Sequence, residues 1–176
     1  MALSTIESSP TPAQRERIAT LLGREPRGLR AIAVADTDGE PIVIRVASVV
    51  EQRPFPTLYW LIGRNLSLHI DRLEAAGWIA RLQAQVNQSE ALQNAMRADH
   101  ERHRIVRNGF LTLGEAQFLE QRGMRAALDE RGIGGITECD RIRCLHTWYA
   151  AHLVSPNAIG TLVDDLLADG EYLGLV

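Results

Sequence analysis

The chain has 176 residues, a formal net charge of −3, and 45% hydrophobic against 23% charged residues. That balance excludes a disordered chain and argues against a dedicated nucleic-acid binder, and the length suits a single domain over residues 1–176. No apolar run approaches the roughly 20 residues of a membrane span. Residues 1–12 are polar and lack a secretory core, and two cysteines (Cys139, Cys144) fit reduced thiols, so a cytoplasmic protein off the membrane is expected.

Residues 1–10 read as a flexible lead-in. Thr11 then has the chemistry of an N-cap, Pro12 of a first helical residue and Gly23 of a stop, framing a helix over residues 14–22. Residues 29–34 and 42–50 are apolar runs with Asp36-Thr37-Asp38-Gly39 between them, a hairpin signal. A third strand follows Pro54-Phe55-Pro56 over residues 57–62, where the aromatics Tyr59 and Trp60 read as core. After Gly63 the apolar period becomes helical, with helices predicted to end at Gly77 and to run over 78–86, 89–106, 114–128, 140–153 and 162–167. The fold class that follows is α+β: an antiparallel sheet of about three strands, covered by helices on one side, with a helical C-terminal half.

The helix at 89–106 is strongly polar, with Leu92, Met96 and Ile105 as sparse anchors. Its cluster His100, Arg102, His103, Arg104 and Arg107 is interleaved with Asp99 and Glu101, and reads as a solvated face. The stretch 89–107 is also a candidate surface for a protein partner.

Six motifs occur in order: Glu25-Pro26-Arg27-Gly28-Leu29, Pro54-Phe55-Pro56-Thr57-Leu58-Tyr59-Trp60, Arg72-Leu73-Glu74-Ala75, Arg131-Gly132-Ile133-Gly134-Gly135-Ile136, Cys144-Leu145-His146, and residues 157–160. In these the chain resembles the bacterial domain-of-unknown-function family 501, over about residues 24–165. The resemblance implies a small bacterial cytoplasmic protein with no assigned reaction. Many members of that family carry Cys-x-Cys in the first hairpin turn, where this chain has Asp36-Thr37-Asp38. A structural zinc site using those thiols with Cys144 and His146 would lack two ligands here, so neither a resident metal nor another cofactor is expected.

The densest chemistry lies at residues 131–152. Asp140 reads as an N-cap, which puts Cys144 in the first or second turn of the following helix. There the dipole, Arg141 and Arg143 favour a thiolate. His146 then falls about 200° around from Cys144, against a catalytic pair within one regular helix, and His152 lies two turns away. Arg131 with Gly134 and Gly135 matches no phosphate fingerprint, yet backbone N–H groups beside three arginines suit an anion. Asn157 reads as a turn or cap residue, or alternatively as one that aims its amide into the same site.

The favoured reading is thus an anionic small molecule, phosphorylated ones included, held by Arg131, Gly134, Gly135, Arg141, Arg143, His152 and Asn157, with Cys144 and His146 as nucleophile or acid/base. The alternatives are a non-catalytic interaction module and a metal site using Cys144, His146 and His152. Whether the protein is an enzyme, and how it assembles, stay open.

Overall fold

The computed structural model describes residues 2–169; residue 1 and residues 170–176 of the expected domain lie outside the described residues. The N-terminal helix forms as its caps dictate. Helix α1 (Pro12–Leu22) starts with a capping box between Thr11 and Gln14 and ends at Gly23, whose φ of 67° is the left-handed conformation that favours glycine. Strands β2 (Leu29–Asp36) and β3 (Pro41–Val46) make the expected hairpin. In its turn the Asp36 carboxylate accepts from the N–H groups of Asp38 and Glu40.

The sheet has one strand more than expected. Residues 3–8, read as a flexible lead-in, form β1 (Leu3–Ser8) and pair antiparallel with β2. Nearly every β1 side chain is exposed or half-exposed, so an edge strand of this kind leaves no apolar alternation to read. A two-stranded hairpin of β4 (Val49–Val50) and β5 (Arg53–Pro54) follows, and β6 (Tyr59–Leu61) completes a four-stranded antiparallel sheet of order β1-β2-β3-β6.

Helices α2 (Arg64–Ala75), α3 (Trp78–Gln88), α4 (Glu90–Gly109), α5 (Leu113–Gln121) and α6 (Ala126–Asp129) follow, then a short 3-10 turn at Ile133–Gly135, α7 (Leu145–Val154) and α8 (Ala158–Asp169). The class is α+β, with a helical C-terminal half. Two apolar clusters hold it together. The larger joins Ala33 and Val43 of the sheet to Leu73, Leu82, Met96, Trp148 and Val163 of the helices. The smaller packs Ile32, Ile44 and Val46 against Ile18 of α1. The sheet is therefore covered on both faces, not on one; α1 swings back over the side that the C-terminal helices leave open.

Two local expectations fail for reasons outside the local sequence. Asp140 is not a helix cap: α7 begins only at Leu145, with Cys144 in the extended N-cap conformation (φ −157°, ψ 127°). The Gln83 amide on α3 holds the preceding segment open, donating to the Asp140 carbonyl at 2.8 Å and accepting from the Ile142 N–H at 2.8 Å. The second failure is the polar helix α4. Met96, Asp99, His100, His103 and Arg107 form its buried stripe, whereas the supposed anchor Ile105 is 62% exposed. Burying a polar group is costly unless it is paired, and Arg107 is the best paired of these. The Arg107 guanidinium donates to the carbonyls of Pro56 at 2.9 Å, Arg131 at 2.6 Å, and Leu128.

Candidate functional site

Moving the start of α7 changes the chemistry of Cys144. An extended N-cap residue does not follow the 100° step of a helix, so its side chain is free to meet His146 two positions on. Helix α2 supplies the rest. Ser67, Asp71 and Glu74 recur at i, i+4 and i+7, hence on one face of α2, and that face meets the first turn of α7. Glu74 Oε1 accepts from the Leu145 N–H at 2.6 Å, so a carboxylate from another helix takes over the cap that Cys144 does not provide. The same oxygen lies 3.4 Å from His146 Nδ1. On the other side of the ring, Nε2 faces the Ser67 carbonyl and the Asp71 carboxylate, both at 3.3 Å.

Glu74, Cys144 and His146 thus each offer a ligand atom within 4.8 Å of the other two, and all three are half-buried. The imidazole is surrounded by acceptors. Its hydrogen bond with Cys144 and then the charges of Cys144 and Glu74 raise its pKa to about 9, against the opposing effect of burial. A thiol, a carboxylate and an imidazole at one helix start can hold a soft or borderline metal ion, or can stabilise a thiolate. Because Glu74 and Asp71 crowd the imidazole, the immediate surroundings suit a cation better than an anion.

The residues read together from the sequence separate into three groups. Cys144 and His146 meet, contrary to the helical-angle argument. Arg141 and Arg143, next to them in the chain, are exposed. Arg131, Gly134 and Gly135 form a closed loop instead of an open anion cradle: the N–H groups of Gly132, Ile133 and Gly135 go to the Ile136 carbonyl, His100 Nδ1 and the Gly132 carbonyl, and Arg131 donates to the Gly135 carbonyl at 3.0 Å. Gly134, at φ 71°, abuts Thr147, since a Cβ there would lie 2.8 Å from its hydroxyl.

His152 and Asn157 form the third group, a clasp between α7 and α8. His152 Nε2 meets Asp164 at 2.9 Å, its Nδ1 accepts from the Asn157 N–H at 3.1 Å, and its ring stacks on Tyr149. The Asn157 amide donates to the Trp148 carbonyl at 3.0 Å and accepts from the Gly160 N–H at 2.7 Å. Neither residue joins Cys144, so the triad Cys144, His146 and His152 does not assemble; Glu74 stands where His152 was expected. The Arg72-Leu73-Glu74-Ala75 motif marked Glu74 in the sequence, but nothing local tied that face of α2 to α7.

The buried stripe of α4 is the second titratable group that escaped the sequence. His100 accepts from the Ile133 N–H at 2.9 Å and lies edge-on to Trp148; burial and then the charge of Arg104 lower its pKa to about 4. His103 sits edge-on to Tyr59, and burial followed by the charge of Arg107 lowers it to about 3. Asp99 caps α8 by accepting from the Ala158 N–H at 2.8 Å, and pairs with Arg102. These groups hold helices together.

No helix among the described residues is long and apolar enough to cross a membrane. No curated protein and no solved structure matches the chain. A family model does match, over residues 32–165 and so over most of the chain, and the protein belongs to that family, described as protein of unknown function (DUF501).

Proposed function

We propose that the protein binds a divalent transition metal through Glu74, Cys144 and His146, with one coordination position left for an anionic small molecule. The observation that carries this reading is the approach of three donor atoms from two helices to within 4.8 Å. Sulfur, nitrogen and carboxylate oxygen are the zinc ligand types, and three protein ligands leave the fourth site of a tetrahedral ion open. A thiolate ligand disfavours magnesium and calcium. The contacts of His146 Nε2 with the Ser67 carbonyl and Asp71 supply the outer support that a metal-bound imidazole uses, and leave Nδ1 on the side of Glu74. Exposed Arg141 and Arg143 precede the cluster and suit an anion drawn to the metal.

Elemental analysis of protein prepared without chelator or affinity metal tests this: about one zinc per chain is expected, lost in Cys144→Ser. Absence of metal, together with no thiolate-to-metal absorption after cobalt loading, would overturn it. A second reading rests on the Cys144–His146 contact alone, a nucleophilic cysteine with the imidazole beside it and no metal. Rapid alkylation of Cys144 at neutral pH that added zinc leaves unchanged would favour it. A protein-interaction role has a separate support in the exposed Ile105, Val106 and Leu113 along and beyond the end of α4.

A further inference from the structure

On the sheet side away from α4 and α8, the chain builds a basin of about 320 Å³ that none of the chemistry above uses. Phe55 and Trp60 contribute aromatic rings, packed edge to face with centroids 5.8 Å apart. Arg24, Arg27 and Arg53 surround them. The Arg24 guanidinium lies 5.2 Å from the Trp60 ring centroid, and Arg27 pairs with Glu51 at 2.6 Å. Among the described residues neither Arg24 nor Arg53 meets a carboxylate. Three guanidinium groups against Glu51 leave a local positive surplus on a chain of net charge −3.

The backbone holds these walls close together. Gly28 has φ 76°, and a Cβ there would lie 2.7 Å from Val50 Cγ2, so the loop bearing Arg27 presses on the β4–β5 hairpin. That hairpin turns through Glu51 and Gln52, both at positive φ (49° and 59°), and its second strand carries Arg53. Across Arg53 and Pro54 a neighbouring hollow continues to Arg131.

We propose that this basin is a nucleotide site: a planar base lies against the Phe55–Trp60 wall, and the phosphates bind Arg24 and Arg53, with Arg131 next in line for a longer phosphate chain. The chemistry is complementary on both counts. Aromatic faces accept any base by stacking, and guanidinium forks match phosphate oxygens. The volume falls at the lower end of the range of small-ligand pockets. The site is independent of the Glu74–Cys144–His146 cluster.

Tryptophan fluorescence provides the test, because Trp78 and Trp148 are buried (8% and 1% exposed) and Trp60 is the one at the basin. ADP should quench it saturably, whereas adenosine and inorganic phosphate, the two halves of the ligand, should each bind at least about tenfold more weakly. Arg53→Ala, on an exposed side chain, should weaken ADP at least about tenfold with an unchanged unfolding transition, and Cys144→Ser should leave ADP binding intact. Quenching by phosphate at the same concentrations as ADP would overturn the proposal in favour of a plain anion site. So would an unaltered affinity in Arg53→Ala, a single-stranded oligonucleotide binding at least about tenfold more tightly than ADP, or no saturation below about 1 mM.

Discussion

Glu74 serves two masters at once, and that makes it separable by mutation. Its Oε1 caps the Leu145 N–H and also faces His146. Glu74→Gln keeps a carbonyl oxygen for the cap but removes the charge a metal needs. We expect a stability loss below about 1 kcal/mol by urea titration, while zinc affinity, read by competition with a chelator, falls at least tenfold. A large stability loss with unchanged zinc affinity would make Glu74 only a cap. Arg107 is the opposite case, purely structural and wholly buried. Its planar fork reaches three carbonyls on two separate segments, Pro56 on one and Leu128 and Arg131 on the other, and a lysine ammonium on a single stem does not reproduce that geometry. Arg107→Lys should cost about 2–4 kcal/mol of unfolding free energy by urea titration, since charge-assisted bonds contribute about 1.5–3 kcal/mol each. An equally stable variant would show that the fork is dispensable.

At the scale of elements, α4 explains both what the sequence disclosed and what it hid. Helix limits set by caps were legible, as with Thr11 and Gly23 for α1, because a cap is a local bargain between neighbours. The inward face of α4 was not legible. The groups that satisfy Arg107 and His100 are backbone atoms at Pro56, Leu128, Arg131 and Ile133, between 21 and 51 residues away, and no window along the helix contains them. The Glu74–Leu145 bond spans 71 residues and was hidden for the same reason. This buried face carries a pH consequence. His100 and His103 titrate at about 4 and about 3 when folded but near 6.5 when unfolded, so between those values the unfolded chain binds more protons. Stability is complete above about pH 6.5 and is lost as pH falls toward 4, by about 1.4 kcal/mol per pH unit for each histidine. His103 Nε2 is buried without a hydrogen-bond partner, so His103→Leu should not weaken the fold at pH 7.5. It should remove about half of the histidine-linked loss between pH 6.5 and 5 in urea titrations. An acid response identical to that of the parent would show that His103 is already charged when folded.

Across the whole molecule, the cluster lies where two non-adjacent helices meet. Glu74 ends α2, Cys144 and His146 begin α7, and the chain between them builds α3 through α6. An ion held there therefore cross-links the closure of a long segment, and its binding energy becomes folding energy because the unfolded chain has no assembled site. At free zinc 100-fold above its dissociation constant the folded state gains about 2.7 kcal/mol. For a chain of this length that corresponds to about 5–11 °C in Tm. The shift should grow with the logarithm of free zinc, disappear after chelation, and be absent in Cys144→Ser, whose apo form should melt close to the apo parent because the Cys144 side chain supplies no cap bond. Magnesium at the same concentration should give no shift, because the donor set contains a thiolate. An equal zinc response in Cys144→Ser would place the ion elsewhere, on the exposed carboxylates and imidazoles of the surface, and would remove the cluster from consideration as a metal site.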